Sequence, residues 1–407
     1  MQNIIVIGGG ASGMAAAITA ARAGADVTIL EQNDMLGKKI LSTGNGRCNL
    51  TNRNLKKEYY HGDNPQFVQD VLSEFGLKEA LDFFDGLGID TKCRGEYVYP
   101  LCDQASAVRE ALVMELKHLG VHVMTECSVK RIDQKGQYFR VFNSKGELCC
   151  KASRVILSTG SRASEVSGSD GSGYGLAKQM GHSLSPVVPA LVQLRARETY
   201  FKKLAGIRTT AEAALLINGK MAARDTGELQ LTNYGLSGIP VFQISRYAAK
   251  ALQKGKEVKV RIDFIPHISK DIFLQEILKR RVRWGRRTAE ELLNTLFPSK
   301  LIPVLLAEAG IGRTLWAEKI SEHEWMRFAE LCKSFVVDIA DTNPFEKAQI
   351  CAGGVRTEEL SSGTMESKLV SGLYITGELL DVDGICGGYN LHFAWASGAL
   401  AGMHAAK

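Results

Sequence analysis

The stretch that decides the fold is Gly8-Gly9-Gly10-Ala11-Ser12-Gly13, which stands between the apolar segment 3–7 and an alanine-rich segment. A Gly-x-Gly-x-x-Gly spacing between a strand and a helix is typical of dinucleotide-binding α/β folds. Gly8 permits the tight turn, Gly10 lets the backbone approach a pyrophosphate, and Gly13 allows close packing of the helix on the strand. The helix N-terminus favours an anion, so the stretch predicts a pyrophosphate site.

Glu31 supports this prediction because it ends a second predicted strand, 26–30, and lies 18 residues beyond Gly13. An acidic residue at this place accepts hydrogen bonds from the ribose hydroxyls of adenosine. The alternative is an ordinary glycine turn without a ligand. Because strand, helix and acid are in register, we expect dinucleotide binding.

A second polar, glycine-rich run, Gly37-Lys-Lys-Ile-Leu-Ser-Thr-Gly-Asn-Gly-Arg-Cys-Asn-Leu-Thr-Asn52, follows this strand directly. Its glycines can let backbone amides approach a cofactor, and Lys38 and Arg47 can neutralise phosphate or the charge of a reduced cofactor ring. Cys48 and Asn49 are then expected near that ring. The alternative is a solvent loop with a buried thiol, but loops held by a rigid sheet often carry sites.

Two late segments complete the predicted sheet. Arg154–Leu157 runs into Thr159-Gly160, and a strand over 372–377 is followed by acidic residues. A sheet that holds FAD needs a late strand to bring a carboxylate to the ribityl chain, and Glu378 or Asp381 can supply it. The run 387–391 predicts a helix N-terminus at the pyrimidine edge of a flavin, where it stabilises the negative charge of reduction. The alternative is an ordinary C-terminal helix.

The length of the chain and the changes in its sequence pattern predict several domains. Its 407 residues exceed what one hydrophobic core usually supports. We predict an α/β unit in two parts, 1–187 and 346–407, a β-rich insert at 188–268 and a small helical subdomain at 269–345. The signals are a hairpin over 215–220, helix caps at Asn64, Asp103 and Ser269, and capping boxes beginning at Thr288 and Ser321.

Composition points to a soluble, cytoplasmic protein. The net charge of +6 is mild for this length, and the nine scattered cysteines fit reduced thiols better than a disulfide framework. The chain has no C-x-x-C pair, so we expect no metal. No secretory signal precedes the first strand, and no apolar stretch reaches the roughly 18 to 20 residues of a membrane span.

Several motifs together resemble one family of FAD flavoproteins, which contains aminoacetone oxidases and 3-dehydro-bile-acid Δ4,6-reductases. The resemblance rests on the glycine motif and on the segments 46–52, 364–368, 377–384 and 387–391, and it extends to 227–238 and 352–355. It covers essentially the whole chain. It implies non-covalently bound FAD on a split Rossmann-type domain of the two-dinucleotide-binding flavoprotein type, with a β-rich insert and a helical piece.

The candidate site residues follow from these motifs. The catalytic candidates are Cys48, Tyr389 and His392, of which His392 can instead be structural. The candidates for FAD binding are Gly8, Gly10, Ala11, Ser12, Gly13, Glu31, Gln32, Lys38, Thr43, Gly44, Gly46, Arg47, Cys48, Asn49, Val129, Thr159, Gly160, Gly377, Glu378, Asp381, Gly388, Asn390 and Leu391.

The predicted activity is that of an FAD-dependent oxidoreductase acting on a small molecule. A C-x4-C redox pair is absent, which excludes flavin disulfide reductases, and no second Gly-x-Gly-x-x-Gly follows a strand. A nicotinamide cofactor, NAD(P)H, would therefore dock transiently. Because family members either reduce conjugated enones or oxidise amines on one scaffold, two activities stay open. We favour NAD(P)H-dependent reduction of an activated C=C bond in a 3-oxo steroid such as a bile-acid intermediate, with amine oxidation by O2 as the alternative.

One motif raises a different class of function. The run Lys279-Arg-Arg-Val-Arg-Trp-Gly-Arg-Arg287 holds six positive charges in nine residues around a tryptophan. Nearby Glu276, Glu290 and Glu291 favour a solvated, partly paired surface. A flavoprotein that binds or modifies nucleic acid is the alternative.

Overall fold

In a computed structural model, which describes residues 2–407, the chain divides into two compact units. The first unit comprises the described residues up to Val188 together with Ala348–Lys407, and the second unit comprises Pro189–Lys347. Each unit has its own hydrophobic core.

The strands of residues 2–407 are, in chain order, β1 Asn3–Ile7, β2 Asp26–Leu30, β3 Thr51–Asn52, β4 Tyr60–His61, β5 Thr91–Arg94, β6 Tyr97–Pro100, β7 His122–Met124, β8 Val129–Lys135, β9 Tyr138–Asn143, β10 Leu148–Ala152, β11 Arg154–Leu157, β12 Val188–Ala190, β13 Leu194–Ala196, β14 Ile207–Ile217, β15 Lys220–Thr232, β16 Gly235–Gly238, β17 Val258–Asp263, β18 Phe335–Thr342, β19 Ile350–Ala352, β20 Leu373–Ile375 and β21 Asp383–Gly384. The α-helices are α1 Ala11–Arg22, α2 Pro65–Glu74, α3 Leu77–Asp85, α4 Ala105–His118, α5 Ser172–Gln179, α6 Phe201–Leu204, α7 Ile239–Gln253, α8 Lys270–Trp284, α9 Ala289–Leu293, α10 Ile302–Glu308, α11 Glu322–Lys333 and α12 Tyr389–Ala405.

A parallel sheet with the strand order β20-β11-β1-β2-β7 forms the centre of the first unit. The residues of β1 from Ile4 to Ile7 are all buried, as expected for a parallel strand covered on both faces. Because parallel strands end at the same edge, the turn after β1, the end of β2 and the ends of β11 and β20 meet there. The candidate residues that directly follow these four strands therefore lie at one edge, and the predicted split α/β unit is confirmed.

Two glycines let the last helix, α12, pack directly on the first helix, α1. A Cβ atom at Gly398 would lie 2.2 Å from the carbonyl oxygen of Ser12, and one at Gly402 would lie 2.2 Å from that of Ala16. A side chain at either position would therefore force the helices apart. This contact joins the two sequence segments of the first unit.

The second unit is a closed antiparallel barrel with the strand order β13-β16-β15-β14-β17-β18, accompanied by α6 to α11. The predicted hairpin is its centre: β14 and β15 turn at Asn218-Gly219, where both residues have positive φ, 48° and 76°. One core joins barrel and helices through residues such as Val260, Trp325 and Phe328. The predicted β-rich and helical parts are thus both present in this unit.

The helix caps are as predicted, with one exception. Asn64 and Ser269 accept cap hydrogen bonds, and both capping boxes form. The predicted cap at Asp103 is wrong, because α4 starts without a side-chain cap and the Asp103 carboxylate instead pairs with Lys92 and Arg94. The two cations on β5 bind the Asp103 carboxylate in place of the free backbone N–H groups at the start of α4.

None of the helices within residues 2–407 combines the length and the apolar character needed to cross a membrane.

The contact between α1 and α12 gives a direct prediction. The substitution Gly402→Ala should lower the free energy of unfolding by about 1–3 kcal/mol, because the added methyl group overpacks a backbone contact. The control is Gly175→Ala in α5, where a Cβ would meet no atom within 4 Å; it should raise stability by about 0.5–1 kcal/mol. Urea denaturation measures both, and equal stability of the two variants would contradict the packing described.

Candidate dinucleotide-binding site

The glycine turn after β1 has the packing that a pyrophosphate site requires. Gly8 has φ 99°, and a Cβ there would lie 2.5 Å from the carbonyl oxygen of Ser158. A Cβ at Gly13 would lie 1.9 Å from the carbonyl oxygen of Gly8, so helix and strand touch. A Cβ at Gly10 would meet nothing within 4 Å. The space in front of α1, which begins at Ala11, is therefore open to an anion.

Glu31 is buried and held in place by its own surroundings. Its Oε2 accepts a hydrogen bond of 2.7 Å from the backbone N–H of Gly9, and its Oε1 accepts bonds from the backbone and side-chain nitrogens of Asn33 at 2.8 and 2.7 Å. These bonds orient the carboxylate beside the glycine turn. Such a position suits recognition of adenosine hydroxyls.

A cavity at the same edge collects predicted cofactor residues from distant segments. They are Gly8, Glu31, Gln32, Val129 and Thr159, and the cavity wall also includes Cys127, Ser172 and Leu176. Gly160, with φ 73°, follows Thr159 directly. Convergence of these segments on one cavity fits the adenosine half of a dinucleotide.

The acidic residues after β20 differ in their surroundings. Glu378 Oε2 accepts hydrogen bonds from Lys39 Nζ at 2.7 Å and from Ser161 Oγ at 2.8 Å. Asp381 is 1% exposed, and its Oδ2 accepts only a 3.4 Å bond from the backbone N–H of Asp63. Glu378 is thus already paired, whereas Asp381 has capacity for a ligand.

Lys39 is a residue that sequence reasoning missed. The predicted Lys38 lies near the surface, 3.9 Å from Asp34, while its neighbour Lys39 reaches Glu378. Two adjacent lysines carry no sequence signal that says which one points inward. The backbone of the 3-10 segment over Lys38–Gly46 determines which of the two lysine side chains points inward.

Polar side chains connect the end of β20 to the first half of the chain. The N–H of Gly377 donates to Ser397 Oγ at 3.0 Å, and a Cβ at Gly377 would lie 2.5 Å from Ser12 Oγ. The Thr376 and Ser158 hydroxyls are 2.7 Å apart. These contacts fix both late strands against α1, and of the serines involved only Ser12 was expected.

The loop before Cys48 is tightly wound rather than open. Gly44, Asn45, Gly46 and Cys48 all have φ between 56° and 82°. The Thr43 hydroxyl donates to the carbonyl oxygen of Ile40 at 2.6 Å. Non-glycine residues held in the left-handed region cluster at functional sites, so this conformation favours the functional interpretation. Arg47, at the loop end, is exposed.

The N-terminus of α12 lies against this segment. A Cβ at Gly388 would lie 2.9 Å from Asn49 Oδ1 and 2.8 Å from the carbonyl oxygen of Thr51. Asn390 bonds both backbone groups of Gly384, accepting at 2.7 Å and donating at 2.8 Å, and Leu391 follows it half-buried. Asn390 therefore holds the preceding turn, and the positive end of the helix dipole faces the loop.

Five buried side-chain oxygens of the first unit lack a hydrogen-bond partner; one of them, Asp103 Oδ1, belongs to the carboxylate that pairs with Lys92 and Arg94, and four remain to be explained. An unsatisfied buried polar atom costs about 1–3 kcal/mol, so a ligand that satisfies these atoms is expected. They are Asn49 Oδ1, Thr159 Oγ1, Tyr174 OH and Asp381 Oδ1. Together with the open space at Gly10 and the cavity at Glu31, they fit an extended cofactor with an adenosine end and a polar ring end.

Comparison with known proteins decides the family. The model of the HI0933-like protein Rossmann domain matches residues 2–404. This chain belongs to that family.

This chain has relatives that are enzymes of two different activities. It is 50% identical over 409 residues to the 3-dehydro-bile acid delta(4,6)-reductase of Clostridium scindens, covering 100% of both chains. It is 30% identical over 401 residues to the ribosomal RNA dihydrouridine synthase of Haemophilus influenzae, covering 97% of this chain and 96% of the relative. The predicted family is confirmed.

Among solved structures, the 3-ketosteroid delta1-dehydrogenase of Sterolibacterium denitrificans matches with a TM-score of 0.53 and 12% identity, covering 100% of both chains. At this identity the likeness shows the fold alone. It agrees with the predicted fold class.

Two of the three catalytic candidates have the buried surroundings that are typical of structural residues. His392 is fully buried, accepts at Nδ1 from the Thr51 hydroxyl at 2.8 Å and donates from Nε2 to the Phe75 carbonyl oxygen at 3.2 Å. Burial lowers the pKa of His392 to about 4. Cys48 is also buried, and burial raises the pKa of its thiol to about 12, against a smaller lowering by Thr43. Both surroundings disfavour the predicted catalytic roles.

Tyr389 likewise packs into the protein. Its hydroxyl donates to the Asn54 carbonyl oxygen at 3.2 Å, and its ring lies 5.2 Å from that of Tyr59. Burial raises the pKa of Tyr389 to about 12, so its hydroxyl stays protonated at neutral pH. Within residues 2–407, no group of three or more His, Cys, Asp or Glu side chains is placed to hold a metal ion.

The environment of His392 predicts acid sensitivity. Its pKa is lowered from 6.5 to about 4 on folding, so its contribution is fully present above pH 6.5 and is lost as the pH falls toward 4. The loss should reach about 3 kcal/mol. Urea denaturation at pH 7 and pH 4 should show this dependence in the wild type. His392→Gln should lack it, and the exposed-site control His118→Gln should keep it. An unchanged dependence in His392→Gln would contradict the assignment.

Proposed function

We propose that this chain is an FAD-dependent oxidoreductase that uses NAD(P)H to reduce an activated C=C bond of a 3-oxo steroid, such as a bile-acid intermediate. The observation that carries the proposal is the 50% identity, over the full length of both chains, to a 3-dehydro-bile acid delta(4,6)-reductase. The dinucleotide site of the first unit supports it, because such a reductase needs a bound redox cofactor.

The residues of the first unit divide the work of holding FAD. The backbone around Gly10 and the N-terminus of α1 hold the pyrophosphate, and Glu31 accepts bonds from the ribose. Asp381, buried with an unpartnered oxygen, accepts from hydroxyls of the ribityl chain. The N-terminus of α12 stabilises negative charge on the ring system.

The chemistry that FAD supplies when bound is reversible hydride transfer. The protein orients the reactants and controls the electrostatics. The ion pair of Lys39 and Glu378 keeps a half-buried cation and anion together, so the local charge stays balanced. Tyr174 is buried close to Glu378 and Asp381, and burial raises the pKa of its hydroxyl, which therefore remains a hydrogen-bond donor.

The role of Asp381 gives a prediction about affinity. Asp381→Asn preserves the shape of the side chain but removes its charge, so FAD should bind about 10–100-fold more weakly, the equivalent of one charge-assisted hydrogen bond. Asp85→Asn, at an exposed carboxylate, is the control and should bind normally. Quenching of flavin fluorescence measures both. Equal affinity of the two variants would remove Asp381 from the site.

The activity is tested by an anaerobic titration of the yellow protein. NADH or NADPH should bleach the flavin absorbance, and a 4-en-3-one steroid should restore it. Bleaching by aminoacetone but not by a nicotinamide would overturn the proposal in favour of amine oxidation. Failure of any steroid to restore colour after nicotinamide bleaching would reject the steroid and keep the oxidoreductase.

A second candidate is reduction of a pyrimidine ring in RNA, and a surface of the second unit favours it. We define the basic surface as residues 279–287, at the end of α8. Guanidinium groups of Arg280, Arg283 and Arg287 lie 5.7, 4.9 and 5.1 Å from the centre of the Trp284 ring. Arg283, Trp284 and Arg287 also line an open groove of about 640 Å³. The 30% identity to a ribosomal RNA dihydrouridine synthase supports the same function.

Pairing within the basic surface is incomplete. Arg280 pairs with Glu276 at 3.1 Å, as the solvated-surface interpretation expects. Within residues 2–407, however, no carboxylate forms an ion pair with Arg283 or Arg286. A flat aromatic ring flanked by unpaired guanidinium groups suits an RNA strand, because bases stack and phosphates neutralise the charge.

This candidate predicts a charge-specific loss of RNA binding. The double variant Arg283→Gln/Arg286→Gln should bind a ribosomal RNA fragment more weakly and reduce the salt slope of log K by about 2. Lys202→Gln/Lys203→Gln removes the same charge from another exposed part of the second unit and is the control. Fluorescence anisotropy at several salt concentrations measures both. Equal loss in the two variants, or no binding at moderate salt, would eliminate the candidate.

A further inference from the structure

Two thiols lie in contact on the first unit. The sulfur atoms of Cys127 and Cys149 are 3.7 Å apart, and both residues are half-buried. In the pairing of β9 with β10, Leu148 lies opposite Phe142 and Cys150 opposite Val141. Cys149 is therefore the extra residue of a β-bulge. Because bulges re-aim a side chain and leave it outside the ladder, this one explains how Cys149 reaches Cys127.

Cys127 is also part of the cofactor cavity. It lines the cavity with Glu31 and Val129, and its backbone N–H donates to the carbonyl oxygen of Glu31 at 2.8 Å. The preceding residue, Glu126, has φ 53°, and its N–H donates to the Asn33 carbonyl oxygen at 2.9 Å. The segment is thus held in a strained conformation against the strand end that carries Glu31. A change in the position of Cys127 would be transmitted directly to that strand end.

We propose that Cys127 and Cys149 form an oxidisable pair, converted by a hydroperoxide into a disulfide that alters the hold on the adenosine half of the cofactor. The part that concerns the cofactor rests on the proposed FAD function. Formation of the disulfide does not.

The chemistry balances with a hydroperoxide as the oxidant. The Cys149 thiolate attacks the peroxide oxygen, which gives a sulfenic acid and, from hydrogen peroxide, one water. The Cys127 sulfur then attacks the sulfur of Cys149, the S–S bond forms, and the hydroxyl leaves as a second water with the proton of Cys127. Two thiols lose two electrons, and the peroxide gains them.

The order of these steps follows from the surroundings of the two sulfurs. Burial and the neighbouring Cys149 raise the pKa of Cys127 to about 12, which suppresses its thiolate. Cys149, which the bulge displaces from the strand ladder, is the sulfur that we place as the first to react. The sulfurs must close from 3.7 Å to the bond length of about 2.05 Å. Side-chain rotation at the bulge can supply this movement, since Cys149 is outside the strand register.

Peptide mapping tests the pair in the full-length, FAD-loaded protein. After treatment with hydrogen peroxide we expect a Cys127–Cys149 cross-linked peptide that dithiothreitol removes. The cross-link should persist in Cys150→Ser and disappear in Cys149→Ser. The exposed Cys93 is an internal check that the oxidant has acted, since it should form a sulfenic acid. Oxidised Cys93 without the cross-link, or a cross-link through Cys150 instead, would overturn the proposal.

The effect on the cofactor is measured as the rate at which FAD is released, followed by the rise in flavin fluorescence. The rate should change several-fold on oxidation of the wild type and stay constant in Cys149→Ser. A disulfide that leaves the rate unchanged would refute the coupling to the cavity. A protein that takes up no FAD would refute the proposed function. Peptide mapping would still show whether the Cys127–Cys149 cross-link forms.

Discussion

The structure of the first unit depends on the close contact between α1 and α12, two helices that lie at opposite ends of the sequence. The backbones of Gly398 and Gly402 approach the carbonyl oxygens of Ser12 and Ala16 so closely that no Cβ fits between them. A contact of this kind needs no side-chain burial by the glycines themselves, but it fixes the distance and angle of the helices. The Ser12 region that binds α12 is also the start of the glycine-motif helix, so packing and cofactor binding share the same residues.

This contact places two helix N-termini at one edge of the parallel sheet. The partial positive charge at the start of α1 faces the open space at Gly10, and that of α12 lies against Asn49. The same unit contains buried oxygens without partners, including those of Thr159 and Asp381. Positive helix ends and unsatisfied acceptors in one unit suit a long molecule with a phosphate centre and polar ends, which is the form of FAD. Hydroxyl and imide hydrogens can satisfy the acceptors, and the helix ends can stabilise anionic charge.

The features that could be predicted from sequence are those set by local backbone rules. The glycine motif, Glu31 and the hairpin at Asn218-Gly219 all depend on tight turns that few other residues permit. The split of the α/β unit could also be predicted, because an apolar strand followed by glycine and acid returns after residue 370. Closure of the six-stranded barrel could not, since it depends on long-range pairing between β13 and β18.

Within the site, the direction of individual side chains was the main feature that could not be predicted from the sequence. His392 and Cys48 are adjacent to the expected cofactor in sequence terms, but their functional atoms are buried among backbone and hydroxyl partners. Whether Lys38 or Lys39 reaches Glu378 depends on the turn of one 3-10 segment. Asp103 pairs with Lys92 and Arg94 on a neighbouring strand and does not cap its own helix. In each case a tertiary contact, absent from any local pattern, decided the outcome.

The most direct test of the central claim is a crystal structure of the protein grown with FAD. We expect the adenosine beside Glu31, the pyrophosphate at Gly10, and the ring system between Asn49 and the N-terminus of α12, so that both ends of the chain contact one molecule. Electron density for FAD that contacts only the glycine motif and leaves Asp381 and Gly388 without a ligand would contradict it.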